Sequence, residues 1–125
     1  MRIDYYAMDD SASGIAYPED ILTIAADNRI AYAVAAQAID ASGAEAIWLQ
    51  HEFGIFGGSA GAHILHLLER STLPLITTLH TVLERPGPDQ DRVFRAIVDR
   101  AEHLIVMAES GRDILQSHYG VAPAR

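Results

Sequence analysis

Apolar residues gather in three short runs, Ala46 to Leu49, Leu75 to Leu79 and Leu104 to Met107, each bounded by polar or turn-forming residues. Runs of this length and bracketing predict buried strands. Their centres, near Trp48, Thr77 and Ile105, lie 29 and 28 residues apart, close to the length of one βα unit, which implies a parallel sheet. Between the runs the period changes. Ala60, Ile64, Leu67 and Leu68 fall at i, i+4, i+7 and i+8, predicting a helix over 60–69, and Val93, Phe94, Ile97, Val98 and Ala101 form a similar stripe after Pro88 and Asp89. Asn28 is placed to cap an Ala-rich helix from Arg29 to Ser42 that stops at Gly43. A last helix runs from a cap at Ser110, with Asp113 three positions on, to Gly120. Arg2 to Met8 is a further candidate strand, and 9–20 and 85–89 read as connectors. The expected class is α/β, a Rossmann-like parallel sheet with helices on both faces.

Composition narrows the function classes. The 125 residues suffice for one domain with a real core, and half of them are apolar. Cysteine is absent, which removes disulfides, thiolate metal sites and cysteine nucleophiles. Nine arginines and no lysine face seventeen carboxylates, a net charge of -8. Such a surface repels nucleic acid, and no Arg cluster stands out along the chain. No apolar run approaches the ~20 residues that span a bilayer, and no signal-peptide pattern opens the chain. The expected location is cytoplasmic, free or peripheral to a membrane.

In an open parallel sheet, ligands bind outside the carboxyl ends of the strands. The first run delivers Gln50, His51 and Glu52 there, the second His80 and Thr81, and the third Glu109 and Ser110. Gln50 to Gly61 reads QHEFGIFGGSAG, with four glycines leading into the expected helix. Exposed amides at a positive helix end hold phosphate or carboxylate, whereas the bland reading gives the glycines to turns and close packing. Neither a P-loop nor G-x-G-x-x-G is present. Phe53, Ile55 and Phe56 either seal this loop against the core or wall a sugar or lipid pocket. His51-Glu52 does not extend to H-E-x-x-H, because Ile55 stands at the second His position. His63 and His66, at i and i+3, read as structural or solvent-facing beside an apolar stripe.

The segments QHEFGIFGGSAGAHILHLL, PLITTLHTVLERPGPDQ and LIVMAESGRDILQSHYGV, in this order, resemble the N-terminal half of GT-B-fold glycosyltransferases. More narrowly, they resemble the bacterial family 4 (group 1) retaining enzymes of mannosyltransferase type. The resemblance spans roughly Trp48 to Val121. It implies a two-domain transferase that moves a hexosyl group, with retention, from a UDP- or GDP-linked sugar to a sugar or lipid acceptor in the cleft between its domains. It further implies that His80 faces the donor sugar as the catalytic residue. Gln50, His51, Glu52, Phe53, Gly54, Gly57 and Gly58 would line the cleft on the acceptor side, with Thr81 and Glu109 adding substrate contacts. No metal or bound cofactor is implied.

The family's opening strand, its inter-domain linker and its nucleotide-sugar domain with the E-x7-E element have no counterpart here. The expectation is therefore that residues 1–125 are an incomplete acceptor-side domain, inactive alone and with an exposed sheet edge prone to self-association. The alternative is a non-catalytic, flavodoxin-like binding or regulatory domain in which the strand-end residues are structural.

Overall fold

The computed structural model describes residues 1–10, 16–19 and 21–125. Strands β1 (Tyr6–Asp9) and β2 (Leu22–Ala25) pair in parallel, Tyr6 opposite Leu22. Helix α1 (Arg29–Ala41) follows, then β3 (Ile47–His51), a short 3₁₀ turn at Ser59–Gly61, α2 (Ile64–Arg70), β4 (Leu75–Leu79), α3 (Pro88–Arg100), β5 (His103–Val106) and α4 (Glu109–His118). Strands β3, β4 and β5 form a second parallel sheet in that order, with Ile47 opposite Leu75 and Ile76 opposite His103.

The three expected strands stand within a residue or two of the apolar runs that predicted them. Helix α1 also forms where its cap requires: Asn28 Oδ1 accepts the Ile30 N–H at 3.1 Å, and Gly43 at φ +83° ends the segment. In α3, Pro88 takes the first position, Gln90 Oε1 accepts the Gly87 N–H at 2.9 Å, and Asp89 and Asp91 complement the positive end.

Other boundaries move. The helix expected over 60–69 begins only at Ile64, because Ala60 and Gly61 adopt left-handed φ of +53° and +74°. Helix α4 opens two residues earlier than expected, with Ala108 rather than Ser110 as N-cap, Glu109 as its first residue and no side-chain cap bond. The first strand lies at 6–9 rather than 2–8, and β2 was not expected. The connector expected over 9–20 extends outside the described residues at 11–15 and 20.

The α/β class with parallel strands is what the structure shows, but as two separate sheets. Helix coverage is one-sided on β3-β4-β5. Leu49, Leu75, Leu79, Leu104 and Val106 meet the helices, through Ile64, Leu67, Val93 and Ile97 in one cluster and Phe94, Val98 and Leu115 in another. Each fully buried side chain among them contributes about 1.5–3 kcal/mol. The alternate residues point the other way: Trp48 remains 62% exposed, Ile105 40% and, beyond the strand, Met107 71%. The expectation of helices on both faces therefore holds for one face of this sheet.

At the amino ends of the strands, Arg100 on α3 donates to the carbonyls of Leu68, Ser71 and Leu73 at 3.3, 3.2 and 2.6 Å. These are the groups a helix C-terminus and the following turn leave without intrahelical partners. Arg125 donates in the same way to the carbonyls of Val98 and Ala101 at the end of α3.

Candidate functional site

Side chains alternate along a strand, so β3 sends Leu49 and His51 toward the helices and Trp48 and Gln50 to the open face. In β4, Thr78 shares the open face with Trp48 and Gln50, and His80 follows directly after the strand. The ladder continues one step past β4, since the His80 N–H donates to the His51 carbonyl at 3.0 Å. Two polar pairs then bridge the strands on the open face. Trp48 Nε1 donates to Thr78 Oγ1 at 2.8 Å, and His80 Nε2 lies 2.8 Å from Gln50 Oε1. With that oxygen as acceptor, Nε2 is the nitrogen that donates.

Just beyond the strands, Thr81 Oγ1 donates to Glu52 Oε2 at 2.7 Å and the Phe53 N–H donates to Glu52 Oε1 at 3.0 Å. The Thr81 bond is the main cause that holds the Glu52 carboxyl below its usual value, with smaller help from the Phe53 amide and the neighbouring histidines. The result is an oriented carboxylate and an exposed imidazole, both supported from the adjacent strand. Four of the expected residues, Gln50, Glu52, His80 and Thr81, converge here.

The others do not join this set. His51 has no exposed surface; its ring meets Phe53 edge-on at 5.0 Å, stacks on Phe56 at 5.9 Å and meets Phe94 at 6.4 Å. Neither ring nitrogen has a hydrogen-bond partner among the described residues, and burial pushes its pKa down to about 4. The expected ligand contact from His51 is thus corrected to a neutral member of an aromatic core, because the strand's alternation aims it at the helices. Phe53, half-buried, belongs to the same box. Gly54 is exposed in the turn after β3, and Glu109 is exposed in the first turn of α4, outside the hydrogen bonds of the cluster.

Gly57 and Gly58 answer to packing. A Cβ on Gly57 would stand 2.1 Å from the Ala26 carbonyl oxygen, and Gly58 has φ +82° with the His63 ring 2.8 Å from its would-be Cβ. Two of the amides expected to cradle an anion are taken, Gly57 N–H by the Tyr32 hydroxyl at 3.2 Å and Gly61 N–H by the Gly58 carbonyl, and beyond them Ala62 N–H bonds the Ser59 carbonyl and His63 N–H the Gly57 carbonyl. The helix N-terminus expected at this loop end does not form there, since the residues meant to begin it close a local turn on themselves. Tyr32, which also donates to the Ala26 carbonyl at 2.8 Å, was missed. A single Tyr in an Ala-rich helix carries no pattern that would single it out.

Among the described residues no group of three His, Cys, Asp or Glu gathers as metal ligands, and no helix is long and apolar enough to cross a membrane. Compared with models of known protein families, with curated proteins and with solved structures, the chain matches none.

Proposed function

We propose that this chain forms the acceptor-side part of a retaining glycosyltransferase that moves a hexosyl group from a nucleotide-sugar. The observation that carries the reading is the Gln50–His80 and Glu52–Thr81 cluster at the carboxyl ends of neighbouring parallel strands. Retaining transfer develops positive charge on the sugar ring and negative charge on the leaving diphosphate. An ionised Glu52 suits the first, and an imidazole steadied by Gln50 offers a directed hydrogen bond to the sugar or the leaving oxygen. In the glycine loop the Gly57 and Gly61 amides are spent internally and do not serve a diphosphate. This favours a donor site on a second domain, with the 125-residue chain inactive alone.

The test is transfer of labelled hexose from UDP- and GDP-sugars to sugar and lipid acceptors by the complete gene product. His80→Ala should lower turnover by roughly 10²-fold or more while leaving the fold intact. Normal turnover in that variant would return His80 to a structural role. No transfer with any donor would favour the binding or regulatory alternative.

A further inference from the structure

Two arginines 41 residues apart in the chain line one groove where α1 and α2 pack together. Arg29, Ile30 and Ala33 of α1 and His66 and Arg70 of α2 line a groove of about 400 Å³, within the size range of small-molecule sites. Among the described residues no carboxylate lines it, although the chain carries seventeen against nine arginines. Arg29 stands at the first position of α1, where the helix dipole is positive and no acidic residue occupies the first turn. A cation at that end, in the same groove as a second guanidinium and beside His66, is unfavourable by itself, and a bound anion would relieve that repulsion. His66 feels the same charges: burial first, then Arg29 and Arg70, hold its imidazole below the usual value, against an opposing pull from Glu69. Ile30, 73% exposed, and Ala33 give the groove an apolar wall beside the charged groups.

We propose that the α1–α2 groove binds a phosphate monoester, with Arg29 and Arg70 holding the phosphate, His66 beside them, and Ile30 and Ala33 against the carbon skeleton. Two guanidiniums lining one groove from different helices suit the several oxygens of a dianionic phosphate. The ester carbon chain accounts for a groove larger than inorganic phosphate needs. A soluble phosphate ester and the headgroup of phosphatidic acid share this chemistry. The site is independent of the transfer reading, since it uses none of the residues at the carboxyl ends of β3 and β4.

The experiment is calorimetric and amide-shift titration of the full chain with glycerol 3-phosphate and with inorganic phosphate. A parallel arm measures cosedimentation with phosphatidylcholine vesicles with and without phosphatidic acid. Saturable binding should move the amides around Arg29 and Arg70, with glycerol 3-phosphate preferred over inorganic phosphate. Arg29→Gln, whose side chain serves no described hydrogen bond, should weaken it at least about tenfold, the scale of one lost charge-assisted bond. Arg70→Gln should do the same, checked by circular dichroism because Arg70 also donates to the His66 carbonyl at 3.2 Å. Arg92→Gln, on α3 and outside the groove, should leave it unchanged. Binding of phosphatidic acid vesicles alone, sensitive to Arg29→Gln, would assign the lipid source. No saturable binding to any probe, or binding indifferent to Arg29→Gln, would overturn the proposal.

Discussion

His51 and His80 close neighbouring parallel strands and are joined by a backbone hydrogen bond, yet their rings live in different surroundings. One is sealed among Phe53, Phe56 and Phe94 with its nitrogens unpaired; the other is open to solvent and hydrogen-bonded to Gln50. The same contrast runs along the whole β3-β4-β5 sheet, whose helix-covered face holds the core and whose other face leaves Trp48 and Ile105 exposed. Residue type and position relative to a strand end are therefore not enough to place a histidine in a site. The face decides, and a single step along the strand changes it.

The largest test of this contrast is on the covered face. Phe94→Ala removes the ring that meets His51, Phe53 and Tyr119, and should cost about 3–5 kcal/mol in urea unfolding. A loss under ~1 kcal/mol would mean that the aromatic box is not tightly packed.

Next comes pH. The unfolded His51 imidazole takes up a proton near 6.5 and the folded one only near 4, so the unfolded state binds more protons in that window. Stability is then full above pH 6.5 and falls as pH drops toward 4, by about 3 kcal/mol from this group. Unfolding midpoints of the wild type and of His51→Leu across this range should diverge by that amount; parallel curves would remove His51 as the cause. The smallest effect belongs to the open face, where Ile105→Thr should change stability by no more than ~0.5 kcal/mol. A cost of 2 kcal/mol would show that this face is covered in the folded protein after all.

Much of the architecture was legible because burial writes long-range structure into local pattern. Three apolar runs spaced by one βα unit gave β3, β4 and β5, and Asn28 marked the start of α1. Strand β2 escaped because only Ile24 of its four residues is buried, leaving no alternation to read. The start of α2 was misplaced because the i, i+4 pattern at Ala60 continues through residues whose backbone is left-handed. In the site, Gln50, Glu52, His80 and Thr81 were found by their place at strand ends, whereas the burial of His51 depended on its face. The Arg29–Arg70 pair was illegible, since two helices distant in sequence must pack before the charges meet.

Arg100 and Arg125 give the molecule a mechanical polarity. Their guanidiniums tie the ends of α2 and α3 together at the amino-terminal rim of the second sheet, closing consecutive βα units like stitches along one hem. The opposite rim, where His80 and Glu52 stand, is joined by side-chain bonds at its surface. Amide exchange is therefore expected to run faster at the rim that carries the candidate chemistry than at the stitched one.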